Sequence, residues 1–305
     1  MIYPMNIGEF EQKFGNENLC KEYLFSLKYK NGFICEKCGN TNFWLVKGNL
    51  YECKECHHQN RLTAGTIFEN TRKPIAMWFR AMWWVTSQKN GTSALGLQRV
   101  LGIGSYETAW TWLHKLRLAM VRPGRDKLSG EIEIDEAFIG GKQSGGKRGR
   151  GTNNKVLIVV AVEKDGNKIG RIRLGVIKDA SSESLFGFIQ NSAERGSTVI
   201  TDGWKSYKGL TKLGYYHKIT ERVKGEEDKM LPKAHLVVSL LKRWIMGTLQ
   251  GSVSDQHIAY YLDEYTFRFN RRTSSNRGML FYHLLEQAVE MKPLTYNNII
   301  KRKNI

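Results

Sequence analysis

The stretch GEIEIDEAFIGGK, Gly130 to Lys142, decides how the chain folds. Its period is two: Ile132, Ile134 and Phe138 face one way, Glu131, Glu133 and Asp135 the other, and only Glu136 breaks the alternation. The pattern is a strand with one acidic face that runs out at Gly140-Gly141. Alone, such a strand is a solvated sheet edge. Continuous sheet follows, however. KVLIVVAVEKDGNKIGRIRLGVI reads as two strands joined at Asp165-Gly166-Asn167. DASSESLFGFIQNSAERG reads as a helix opened by Asp and Ser capping residues, and STVITDGWKSY as a short apolar strand ending in Asp202.

Strand, strand, strand, helix, strand, helix is the order of an RNase H-like domain. The expected class is therefore α/β, a mixed sheet flanked by helices, in which the first and fourth strands lie side by side and present Asp135 and Asp202. Paired aspartates suit hard divalent ions, magnesium or manganese, which take oxygen ligands. Two such ions ~3.5 to 4 Å apart activate a water or a 3′-hydroxyl and stabilise the leaving oxygen of a phosphodiester.

The rest of the composition agrees. Lys plus Arg outnumber Asp plus Glu by 47 to 29 in 305 residues, a formal charge of +18, and such a field attracts polyanions, nucleic acid foremost. Charge alone leaves an anionic membrane surface or simple solubility open. No apolar run is long enough to span a bilayer, and MIYPMNIGEFEQKFGNEN lacks the basic-then-apolar order of a signal peptide. A cytoplasmic protein, nucleoid-associated when bound to DNA, is expected.

Four of the five cysteines fall as Cys35, Cys38, Cys53 and Cys56, in CEKC and CKEC, with fourteen residues between the pairs. This is zinc-ribbon spacing: each CxxC turn presents two thiolates, and two turns complete a structural zinc site with no open position. TNFWLVKGNLYE between them reads as a hairpin turning at Gly48-Asn49. Paired disulfides are the alternative, disfavoured in a reducing compartment. Cys20 reads as a core residue, and His57 and His58 as unneeded substitutes for a thiolate.

Beyond the ribbon, Trp78, Phe79, Met82, Trp83 and Val85 recur at helical spacing from about Pro74 to Ser87. A second helix from Ser93 to Val100 meets the turn LGIGS, and a third begins at Ser105. Two helices across a Gly-containing turn match a helix-turn-helix, although a plain helical hairpin would bury Trp110 and Trp112 equally well.

IEIDEAFIGGK, VITDGWKSY, LPKAHLVVSLLKRWIMGTLQGSVSDQHIAYYLDEYTFRFNRR and GMLFYHLLE together resemble the DDE-superfamily transposases of bacterial insertion sequences, in the subfamily with an N-terminal zinc ribbon. The resemblance runs from about Phe10 to Glu286. It implies a catalytic set of Asp135, Asp202, His235 and Lys242. His235 stands where the superfamily usually has glutamate, and either ligates an ion or orients the nucleophile. Seven residues are nearly two helical turns, so His235 and Lys242 share a face with Ser239 between them.

Lys242, Arg243, Arg268, Arg271 and Arg272 are expected phosphate contacts. Lys147, Arg148 and Arg150, in the Gly-rich loop from Gly140 to Lys155, are a candidate backbone clamp or else a tolerated insertion. The expected organisation is a helical segment at 1–32, a zinc ribbon at 33–62, a helix-turn-helix segment at 63–128, a catalytic domain at 129–290 and a basic tail at 291–305. The resemblance implies recognition of terminal inverted repeats in double-stranded DNA, cleavage at the element ends and joining of the 3′-hydroxyl to target DNA. A homo-oligomer, a dimer holding both ends, is expected. The competing readings are a nuclease or resolvase that only cuts, and a domesticated non-catalytic regulator.

Overall fold

A computed structural model describes residues 3–47, 50–122, 124–140, 155–220, 230–250 and 253–301. The chain divides into two compact units: Met1–Arg122 together with Ser274–Lys301, and Pro123–Thr273. No described helix is long and apolar enough to cross a membrane.

The first unit opens with helices α1 (Ile7–Phe14) and α2 (Glu17–Lys28). Each starts at an asparagine, Asn6 or Asn16, whose side chain accepts a backbone N–H from the first turn. Strands β1 (Phe43–Val46), β2 (Leu50–Cys53) and β3 (Gln59–Arg61) form an antiparallel sheet, Phe43 opposite Cys53 and Tyr51 opposite Asn60. The hairpin is as expected, its Gly48-Asn49 turn lying outside the described residues. The third strand is an addition that the polar run Gln-Asn-Arg does not announce.

Helices α3 (Ile75–Ser87), α4 (Ala94–Leu101) and α5 (Tyr106–Ala119) match their expected bounds closely. Ser93 and Ser105 cap the last two, and Gly102, in the left-handed region at φ 62°, closes α4. Trp78 stacks on Trp112 with ring centroids 3.7 Å apart, so Trp112 is a core residue. Cys20 is fully buried, and burial pushes its thiol up to about 12.

Two expected boundaries are corrected by packing. The chain's last helices, α9 (Arg277–Glu290) and α10 (Tyr296–Ile300), belong to this first unit, so the second ends at Thr273 rather than 290. The reason is aromatic: Phe281 of α9 lies 5.3 Å from Phe10 and 5.7 Å from Phe79, centroid to centroid, and is fully buried between them. The expected tail is partly ordered, since Thr295 and Asn298 form a capping box that opens α10. The segments 1–32 and 33–62, and 63–128 as far as Arg122, fall within one compact unit.

The second unit is built on a five-stranded mixed sheet. Its strands are β4 (Glu131–Ile139), β5 (Val156–Asp165), β6 (Lys168–Val176), β7 (Thr198–Thr201) and β8 (Tyr216–Ile219), in spatial order β6-β5-β4-β7-β8. β4 is therefore the central strand, antiparallel to β5 and parallel to β7, and no edge. One face carries Ile132, Ile134, Val159 and Ala161 and is covered by α6 (Ser182–Ser192) and the 3₁₀ turns holding Tyr207 and Leu210. The other carries Ala137, Ile139, Ile158, Val160 and Val162 under α7 (Pro232–Leu249) and α8 (Ile258–Asn270). From Glu133 onward the acidic face of β4 thus looks into a helix-covered layer.

Candidate active site and cysteine cluster

The four carboxylates of β4 meet four environments. Glu131, at the exposed start, pairs with Lys164 at 2.6 Å. Glu133 is 4% exposed, and its Oε2 accepts the backbone N–H groups of Lys233 and Ala234 at 2.8 and 3.0 Å. Asp135, on the same face, has Oδ2 3.2 Å from His235 Nε2, while its Oδ1 accepts the Glu136 N–H at 2.9 Å. Glu136 turns to the opposite face, near Tyr207, and its buried Oε1 has no hydrogen-bond partner among the described residues.

Asp202 enters through the sheet register. β4 and β7 pair Glu131 with Thr198 and Glu133 with Ile200, so two residues further on Asp135, midway along β4, stands level with Asp202, just past the end of β7. The end of β7 is shaped by Thr201, fully buried, whose Oγ1 lies 2.9 Å from His217 Nε2 and accepts the Gly203 N–H. Asp202 itself is exposed, its Oδ1 accepting the Trp204 N–H at 2.9 Å.

Burial raises the Asp135 carboxyl above its ordinary range, an effect offset in part by His235 and reinforced by Asp202. Burial also pushes Glu136 up to about 7, with Asp135 and Asp202 adding to it. Carboxylates held close together against burial suit a divalent cation, whose charge reverses both penalties. Asp135, Asp202 and His235 do not, however, form a closed ligand cluster, because Asp202 points to solvent beyond the end of β7. The structure joins Asp135 to His235 directly and brings Asp202 alongside.

The basic residues divide. Lys242 and Arg243 are exposed on α7, with Lys242 about 10.5 Å along the axis from His235. Arg268 in α8, Arg271 at its C-cap and Arg272 just beyond have partners within the protein. Arg268 pairs with buried Glu264 at 2.8 Å. Arg271 stacks over Phe267 at 4.1 Å and donates to its carbonyl. Arg272 donates to the carbonyls of Phe269, Gly170 and Ile169. Arg268 lies in the last turn of α8 and Arg271 at its C-cap, where unpaired carbonyls and the dipole draw cations. Lys147, Arg148 and Arg150 lie outside the described residues.

In the first unit the sulfurs of Cys35, Cys38, Cys53 and Cys56 all lie within 4.8 Å of one another, with Cys35–Cys56 at 3.7 Å and Cys38–Cys53 at 3.5 Å. A tetrahedron of ~2.3 Å Zn–S bonds has edges of roughly 3.8 Å, so the set fits zinc. Both knuckles turn alike. Gly39 N–H donates to Cys35 O and His57 N–H to Cys53 O, and both residues have positive φ, 74° and 55°. His57 thus serves as the knuckle's left-handed residue. Its ring stacks on Trp44 and meets Glu52 at 3.4 Å, apart from the sulfurs.

The sequence does not announce the packing of Glu133 under α7 or of Glu136 beside Tyr207. Only the break in alternation at Glu136 marks either.

A family model described as an ISXO2-like transposase domain matches residues 127–270, and one described as a transposase zinc-ribbon domain matches residues 15–59. A chain described as an uncharacterized protein in transposable element ISH50, from Halobacterium salinarum, is 24% identical over 279 residues, covering 84% of this chain and 91% of its own length.

Proposed function

The chain belongs to the ISXO2-like transposases with an N-terminal zinc ribbon, and from that premise we propose that it binds the terminal inverted repeats of its own insertion sequence, cleaves the element ends and joins the freed 3′-hydroxyl to target DNA. The observation that supports this reading best is the level placement of Asp135 and Asp202 on adjacent strands, with His235 3.2 Å from Asp135.

Asp135 and Asp202 are the residues that would hold magnesium or manganese. Such ions activate the attacking oxygen and stabilise the leaving one. His235, fixed against Asp135, either completes the ligand set or orients the nucleophile. Lys242 and Arg243 hold the backbone of the DNA near the carboxylates, neutralising phosphate without reading bases. Arg268, Arg271 and Arg272 act instead as the frame that fixes the end of α8. In the first unit, zinc on the four cysteines organises the ribbon, and α4 and α5 form the helix-turn-helix that carries end recognition. A dimer brings both ends together.

Incubating the zinc-loaded protein with a labelled element end, target plasmid and manganese tests the reading. Joined product is expected. Cleavage without joining would make the protein a nuclease, and a gel shift alone would make it a regulator.

A further inference from the structure

Helix α7 carries His235, yet the sequence around its start holds no side chain that caps it. Leu231 occupies the N-cap position with no side-chain bond to the helix, and Pro232 occupies the first turn. Every helix leaves its first N–H groups without intrahelical partners. Here proline has none to leave, and His235 N–H reaches Leu231 O at 2.9 Å. That leaves Lys233 and Ala234, and both donate to the same oxygen of Glu133. A carboxylate at a helix N-terminus is further stabilised by the dipole. Lys233 adds a second tether, its Nζ donating to the carbonyls of Gly166, Asn167 and Lys168 in the β5–β6 turn.

Glu133 and Asp135 are two residues apart on one strand face, and their partners lie one residue apart on one helix, Ala234 and His235. The strand therefore grips the helix at two adjacent points, and the first sets the reach of the second. We infer that Glu133 is a positioning residue for the phosphodiester chemistry, holding the first turn of α7 in the register that presents His235 to Asp135.

The first unit uses the same device where no catalytic side chain depends on it. Helix α3 follows Pro74 with no side-chain cap of its own, and Glu17 accepts the N–H groups of Ile75 and Ala76 at 3.1 and 2.9 Å. Glu17 also pairs with Lys21 at 3.2 Å and is partly exposed. Glu133 is buried among its two amide donors, so its loss leaves those donors unsatisfied and the helix start unanchored.

The inference rests on the transposase reading only where activity is measured, so the test has two arms on full-length zinc-loaded protein. Hydrogen exchange at the Lys233 and Ala234 amides reads the latch itself. Exchange should accelerate in Glu133→Ala and stay slow in Glu133→Gln, whose amide oxygen can still accept both donors. Single-turnover cleavage of a labelled end should fall on the order of 10²-fold in Glu133→Ala, the scale of an ångström-sized misplacement, with DNA affinity unchanged. Glu133→Gln should recover most of that rate. His235→Ala should slow cleavage, and Glu133→Ala/His235→Ala should be no slower than His235→Ala, since one acts through the other. Should Glu133→Ala fail to fold, Glu133→Asp keeps the charge, shortens the reach and should still lose rate. Normal cleavage by Glu133→Ala with fast amide exchange would overturn the positioning role, and slow exchange in that variant would overturn the latch. Absence of cleavage by wild type, with the exchange difference intact, would overturn the transposase reading and leave the latch standing.

Discussion

The ribbon gathers its four thiols between Cys35 and Cys56, twenty-two residues of chain, whereas Asp135, Asp202 and His235 are drawn from a span of 101 residues. In the ribbon, two identical local turns do the gathering. Each CxxC presents its sulfurs by its own geometry, and the three short strands add an aromatic cluster of Phe33, Phe43 and Tyr51 with Phe25 of α2. In the catalytic unit, the carboxylates are presented by a sheet whose two faces are already buried. The proposed zinc site organises a small sheet, and the proposed divalent-ion site lies on a sheet already packed on both faces.

Removing zinc should separate the two clusters most strongly. Structural zinc contributes ~10 to 16 kcal/mol in small zinc-binding peptides, more than such a sheet can replace. A strong chelator, or Cys35→Ser, should therefore unfold the ribbon. Limited proteolysis should open sites within 33–62 and end binding should be lost, while the unit spanning Pro123–Thr273 stays resistant. Metal analysis should find stoichiometric zinc in the active protein.

The converse change in the other cluster should spare the fold. Asp135→Asn should reduce cleavage by at least ~10²-fold, the scale of losing one preorganised electrostatic group. Its Tm should not fall, because burial already resists the carboxylate and raises its pKa in the folded state. A loss of activity explained by a lower Tm would erase the difference between the clusters.

The smallest effect concerns what holds the catalytic sheet without metal. Glu163 sits at the irregularity in β5 and ties it to β6 and to the start of β4: it accepts from Arg171 at 2.6 and 2.8 Å and from the Ser129 N–H at 3.0 Å. Partial burial raises its carboxyl, but Arg171 and the two amides outweigh this and hold it at about 2, below its ordinary 4.5. A lowered folded pKa contributes stability that is fully present above the unfolded value and is lost as pH falls through the folded one. Glu163→Gln should thus lower Tm at pH 7 by roughly 2 to 4 °C, about 1 kcal/mol after allowance for solvent screening. The gap from wild type should close between about pH 4.5 and 2.

How much of this was legible follows from the same contrast. The ribbon could be read because its ligands are local, and the β4–β7 pairing because strand order and a resemblance supplied the topology. The short edge strand β8 and the polar strand β3 carry too few apolar residues to announce themselves. The role of Glu133 depends on a helix that begins about a hundred residues later. In the sequence Arg268, Arg271 and Arg272 read as phosphate contacts. Their carbonyl, ring and Glu264 partners become visible only once α8 is seen to end there. Phe281 was misplaced because its helix follows the catalytic unit in sequence while packing with α1 and α3.

Asp135 and Asp202 are proposed to hold a catalytic divalent ion, and metal preference is the test. Asp202→Cys replaces an exposed oxygen ligand by a thiolate, which suits manganese far better than magnesium. Cleavage of a labelled element end by this variant should be lost in magnesium and return in manganese, while wild type cuts in both. Undiminished cleavage by Asp202→Cys in magnesium would contradict the account.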